Sequence, residues 1–174
     1  RSKSSLQIKS SGGESAVEVN SIDGILRSNG ITGVSEHNSF ELITDSVKAF
    51  ETMMDEIQNA DKSISMSTYV FKNDAVTEQI LDALTQKVSQ GVHVRILIDS
   101  LGSYAIYFFQ GAFKKLRQAG GEVHFFMPLL RLPYRNYINL RNHRKIYLFD
   151  EHTLLSGGMN LSEEYMGPEK SPAQ

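Results

Sequence analysis

The sequence predicts an α/β domain built on a mixed, mostly parallel sheet flanked by helices. Stretches of apolar residues with a period of two alternate with stretches spaced three and four apart, in the order strand, helix, strand, helix, strand. Glycines stand where those helices should stop, at Gly91 and at Gly120-Gly121. The chain has 174 residues, 40% of them hydrophobic, enough for one core and too few for two substantial ones.

Residues 1–20 are rich in Ser, Lys and Gly with isolated apolar positions, and read as a tail or linker remnant ahead of a domain spanning 21–174. Ile22 to Glu36 holds three glycines and reads as strand and turn material. From a candidate N-cap at Ser39, the positions Phe40, Ile43, Val47, Phe50, Met54 and Ile57 draw one stripe down a helix. Ile64, Met66, Thr68 and Val70 then alternate with polar or aromatic neighbours, as in a strand. A second helix is expected from Asp74 to about Gln90, with Val76, Ile80, Leu84 and Val88 on one face. Val92 to Ile98 is apolar at nearly every position, which predicts a strand buried on both faces.

Next come a loop over Asp99 to Ser103, a helix over Tyr104 to Ala119 and a short strand over Val123 to Phe126. Parallel sheets of this kind bind ligands beyond the carboxyl ends of their strands, which directs attention to the loop at Asp99. Residues 127–142 have no clear period and carry two prolines, two tyrosines and three arginines, the composition of a long functional surface segment. Strands are expected at His143 to Phe149 and Thr153 to Leu155.

The formal charge of −2, from 18 Lys+Arg against 20 Asp+Glu, provides no overall field for nucleic acid. Locally, no acidic residue lies between Glu122 and Asp150, while Arg131, Arg135, Arg141, Arg144 and Lys145 all do, so this strip either faces an anion or is solvated surface. There is no cysteine, which removes thiol nucleophiles, disulfides and thiolate metal sites. No window approaches the roughly 20 apolar residues needed to cross a bilayer. A start at Arg1 and an end on Ser-Pro-Ala-Gln suggest an excised, soluble piece, truncated at its C-terminus.

The chemistry concentrates late in the chain. In a strand starting at His143, alternation would project His143 and Lys145 from one face. Imidazole and ammonium side by side suit a phosphate, since one can attack or move a proton while the other balances charge. His-x-Lys alone is common, and two polar residues on a surface strand explain it as well. Asp150 ends that strand and can hold the following turn. Gly157-Gly158 permits close backbone approach to a bound group, and Asn160 supplies an amide donor, although a plain turn accounts for the glycines too.

The segment Asn139-Leu140-Arg141-Asn142, then HRKIYLFD from His143 to Asp150, then Gly157-Gly158-x-Asn160, strongly resembles the phospholipase D superfamily, and within it the bacterial cardiolipin synthases. Residues 28–167 share the likeness, including Tyr69-Val70-Phe71, Gly91 to Arg95 and Asp99 to Ser103. The resemblance implies a phospholipase D-like half-domain whose active site needs two His-x-Lys motifs, from two halves of one chain or from a homodimer. It implies that His143 is nucleophile or acid/base through a phosphohistidine intermediate. Lys145 and Asn160 would hold the phosphate, with Gly158 and Arg141 near the phosphate or headgroup, and no cofactor or metal would be needed. In that family Asp150 serves local structure more than substrate contact. The carboxylate that orients the family's histidine lies beyond Asn160; Glu163 and Glu164 are weak stand-ins. The chain has Thr68 and Ser100 where cardiolipin synthases commonly have Glu and Gly.

The expected function is therefore half of a phosphatidyltransferase that joins two phosphatidylglycerols at the bacterial cell membrane, with the isolated piece inactive or weakly active. Two alternatives remain: a homodimeric nuclease of the same superfamily, disfavoured by the acidic balance, and a catalytically silent module binding anionic membrane or a protein.

Overall fold

The structure is a computed structural model that describes residues 22–31, 37–129 and 139–167. The tail expected at 1–20, and Arg131 and Arg135 of the basic strip, lie outside those residues. The chain divides into two units, Arg1–Leu42 and Ile43–Gln174.

In the first unit, residues expected as strand and turn form a helix instead, α1 (Ile22–Ser28). Asp23 and Arg27 sit one turn apart with Nε donating to the carboxylate at 2.8 Å, and each charge lies at the helix end whose dipole it complements. Gly30, at φ 72°, follows as a left-handed stop.

The second unit begins with α2 (Ser46–Asn59). Its N-cap is Asp45 rather than Ser39, because the Asp45 carboxylate accepts the Lys48 amide at 2.7 Å. Phe40 therefore lies ahead of the helix and stays exposed, and the buried stripe is Ala49, Met53 and Ile57, with Phe50 and Met54 beside it. The strand β1 (Ser63–Thr68) buries Ile64, Met66 and Thr68 in alternation. Then α3 (Ala75–Ser89) starts from a reciprocal cap between Asp74 and Thr77.

In β2 (His93–Asp99), Val94, Ile96 and Ile98 are buried but His93 and Arg95 are exposed, so the strand buries one face, not both. The single helix expected after it is divided into α4 (Tyr104–Phe108), a 3₁₀ turn (Gln110–Phe113) and α5 (Lys114–Ala119). Gly111 inside that turn is a poor helix interior residue, and Gly120 at φ 110° closes α5. Among the described residues there follow β3 (Glu122–Phe126), β4 (Ile146–Phe149), β5 (Thr153–Ser156) and a one-turn helix, α6 (Glu163–Met166).

The five strands form one mixed sheet in the order β3-β2-β1-β4-β5. The first three run parallel, and β4 and β5 are antiparallel to their neighbours. Register aligns Met66 with Ile96 and Tyr147, and Ile96 with Val123, so one face is continuous and apolar. Met53, Ile57, Ile80, Leu84 and Leu116 from α2, α3 and α5 join it in one core. Burying each large aliphatic side chain contributes about 1.5–3 kcal/mol.

Candidate active site

Polar residues are buried at one end of this sheet. Thr68, Asp99, Ser100, Ser103, Lys145, Asn160 and Ser162 are each at most 5% exposed; the first four lie at or beyond the carboxyl ends of β1 and β2, Lys145 directly before β4, and Asn160 and Ser162 on either side of Leu161, which bridges Phe71 beyond β1. Buried polar groups are costly unless paired or used, so this end differs in kind from the apolar core below it.

The strand expected from His143 begins only at Ile146. The chain just ahead of it is held through the Asn142 backbone and side chain. Asp99 accepts the Asn142 amide at 3.0 Å, the Asn142 carboxamide donates to Ser67 Oγ at 2.9 Å, and its oxygen accepts the Arg144 amide at 3.3 Å. His143 and Lys145 nevertheless meet, without the strand alternation expected to place them: Lys145 Nζ stands 2.9 Å from His143 Nδ1 and donates to the His143 carbonyl at 3.0 Å. Burial pushes the Lys145 ammonium below its ordinary pKa. An ammonium donating to Nδ1 places the proton of a neutral imidazole on Nε2. His143 itself is exposed, and among the described residues no carboxylate pairs with it.

Asn160 arrives from the other side. Leu161 bridges Phe71 in parallel, with its amide on the Val70 carbonyl at 3.1 Å. The Asn160 carboxamide oxygen accepts the Val70 amide at 3.0 Å, which leaves the NH₂ end as the donor for an incoming oxygen. Val70 adjoins Tyr69, whose ring contacts His143 at 4.2 Å between centroids. The segment Tyr69-Val70 is thus the common neighbour of His143 and Asn160.

Other expected site residues are placed differently. Asp150 stands at the far end of β4, where it accepts the amides of Asp61, Lys62 and Ser63 at 2.7–2.8 Å. Those bonds, led by the Asp61 amide, pull its carboxyl down to about 2. Arg141 turns inward, its guanidinium 3.3 Å from both Asp99 and Ser100 Oγ. Gly158 is exposed, and a Cβ there would meet nothing within 4 Å. Glu164 pairs with Lys72, and the Glu163 amide donates to Asp74.

Sequence reasoning pointed to the loop at Asp99 but missed what it does. The Asp99 carboxylate accepts the Leu101 and Gly102 amides at 2.9 and 3.1 Å, and Ser103 Oγ donates to the Tyr69 carbonyl at 2.9 Å and accepts the Phe71 amide at 2.8 Å. The available signal was Asp followed by Ser, Gly and Ser at the end of a parallel strand.

An imidazole, a desolvated ammonium and a carboxamide at the mouth of an α/β sheet are groups chemically suited to phosphoryl oxygens. Residues 53–170 match the family described as "Cardiolipin synthase, PLD-like domain", and the chain belongs to that family. It is 39% identical over 137 residues to a cardiolipin synthase of Clostridium perfringens, covering 79% of this chain and 28% of that protein. It is likewise 39% identical over 133 residues to the major cardiolipin synthase ClsA of Bacillus subtilis, covering 76% and 27%. The chain therefore spans little more than a quarter of the length of these relatives. Among solved structures it resembles NucT from Helicobacter pylori, with a TM-score of 0.50 and 18% identity, covering 73% of this chain and 76% of that one. This is a likeness of fold. Nuc from Salmonella typhimurium, a phospholipase D family member, aligns with a TM-score of 0.49 and 23% identity over 67% of each chain.

Proposed function

We propose that this chain is one half of a phospholipase D-type transferase that makes cardiolipin from two phosphatidylglycerols at the bacterial cell membrane. The observation that carries the reading is the 2.9 Å contact between His143 and a buried Lys145, within the family segment. The family membership and the relatives' name support the lipid substrate.

In this scheme the Nε2 lone pair of one histidine attacks phosphorus of the first lipid. Glycerol leaves with a proton from a second histidine, and a phosphatidyl-histidine remains. The headgroup hydroxyl of the second lipid gives its proton to that second histidine and attacks phosphorus. Cardiolipin departs and the nucleophile is restored. The covalent route divides one displacement into two easier ones and uses no cofactor. His143 takes one of the two roles; the other His-x-Lys pair comes from elsewhere in a longer chain or from a second copy. An arriving phosphoryl oxygen competes for Lys145 Nζ, which frees Nδ1 to carry the ring proton and opens Nε2. Asn160 donates to the same phosphoryl group. Asp150 and Arg141 act on the scaffold, through the amides and the carboxylate they engage, rather than on substrate.

The test is to supply phosphatidylglycerol vesicles to the assembly containing both motifs and follow cardiolipin and glycerol by mass spectrometry. Cardiolipin and glycerol in equal amounts are expected, and neither with His143→Ala. Cleavage of a DNA oligonucleotide without cardiolipin would shift the assignment to the nuclease. Full turnover by a monomer of this chain would remove the need for a second half.

A further inference from the structure

We infer that Tyr69 is a positioning residue whose ring forms a shelf that sets the plane of the His143 imidazole, and that Gly102 is the residue that lets the ring lie there. The inference rests on the transferase reading only for the reaction it serves.

Tyr69 directly follows β1, and its ring lies against His143 with centroids 4.2 Å apart and planes inclined by 37°. Lys145 Nζ is 5.6 Å from the same ring centre, within the range where an aromatic face attracts a cation. One ring therefore touches both members of the His-x-Lys pair. Behind it the backbone comes unusually close. A Cβ at Gly102 would stand 2.9 Å from Tyr69 Cδ2 and Cε2 and 2.3 Å from the Tyr69 carbonyl oxygen, distances that real Cβ atoms do not adopt. Ser103 Oγ bonds the Tyr69 carbonyl at 2.9 Å and the Phe71 amide at 2.8 Å, which fixes the backbone on both sides of Val70.

Asp99 ties the two parts together. Its carboxylate holds the Gly102 amide behind the shelf at 3.1 Å and the Asn142 amide, next to His143, at 3.0 Å. One buried group thus links the backbone behind the shelf to the backbone beside the imidazole. The ring contact adds to the hydrogen bond that Lys145 makes with the His143 ring. An imidazole free to rotate would aim Nε2 at phosphorus only part of the time, and misplacement on the order of 1 Å costs about 100-fold in rate. The phenol oxygen takes no part in this role, so phenylalanine should serve.

The chain itself provides the first test. Nuclear Overhauser contacts are expected between the Tyr69 and His143 ring protons, with the His143 protons shifted upfield of those of exposed His124 and His152. Tyr69→Phe should keep the shift and Tyr69→Leu abolish it. Absence of the contact in the unsubstituted chain, or an unchanged shift in Tyr69→Leu, overturns the shelf, and the first of these needs no variant to fold. In the assembly turning over bis(p-nitrophenyl) phosphate, Tyr69→Leu should lower kcat about 100-fold while KM changes less than about threefold, and Tyr69→Phe should restore it. Equal kcat for leucine and tyrosine overturns the positioning role. The spectroscopic arm uses no substrate, so the shelf can fail while the transferase stands, or survive its loss.

Discussion

The two ends of β4 carry polar groups that look alike in sequence and behave in opposite ways. At the far end Asp150 is fully engaged: three backbone amides converge on its carboxylate, and it occupies the left-handed region at φ 49° in the tight turn to β5. Glu151 shares that conformation at φ 65°, and the His152 amide closes the turn on Phe149, the arrangement hairpins favour. At the near end Lys145 is buried with no carboxylate beside it among the described residues, and its hydrogen bonds go to the imidazole and carbonyl of His143. A satisfied charge holds a scaffold together, whereas an under-satisfied one keeps its capacity for a ligand. The family motif names both residues, and only their surroundings separate the roles.

That contrast is best challenged first where the effect is greatest. His143→Ala should lower phosphatidyl transfer on the order of 10⁴-fold, yet leave thermal stability within about 0.5 kcal/mol because the side chain is exposed. A calorimetric loss comparable to that of a core substitution would move His143 to the scaffold side. Lys145→Met should cost about 10²–10³-fold in kcat. It should also leave stability unchanged or raise it by about 1 kcal/mol, since a buried ammonium with no opposite charge beside it among the described residues is removed. A marked fall in melting temperature would mean that its bonds to His143 are structural.

Asp150→Asn inverts the pattern. It should destabilise the fold by about 2 kcal/mol through the loss of charge-assisted acceptance from three amides, while kcat stays within about threefold. Because the folded carboxyl titrates at about 2 against an ordinary 3.8, the unfolded chain takes up the proton first. Its contribution is therefore complete above the ordinary value and is lost as pH falls from 3.8 towards about 2. Acid denaturation curves of the two proteins should converge across that window. Parallel curves would show that the amides are satisfied without the charge.

Much of the architecture was legible because it is encoded locally. The alternation of Ile64, Met66 and Thr68, the cap at Asp74 and the glycine after α3 each act within a few residues, and each element formed where its pattern lay. The failures also have local causes. Counting apolar residues in β2 passed over His93 and Arg95, which mark the face the described helices leave uncovered. The stripe before α2 was extended through Phe40 because periodicity does not reveal which of two polar residues, Ser39 or Asp45, wins the first amides. At the site, the i, i+2 spacing already placed His143 within reach of Lys145.

What lies beyond reach of local patterns is every contact that depends on strand order. Asp99 reaches Asn142 across a separation of 43 residues, and Asn160 reaches Val70 across 90. Tyr69 meets His143 because β4 runs antiparallel beside β1 with Ser67 opposite Ile146. The residue types needed for phosphoryl chemistry, and the strands and helices that carry them, are properties of short stretches of chain. Which distant groups meet, including the amides that Asp150 engages and the buried carboxylate that Arg141 engages, came only with packing, because register and crossover decide which distant side chains share a dielectric environment.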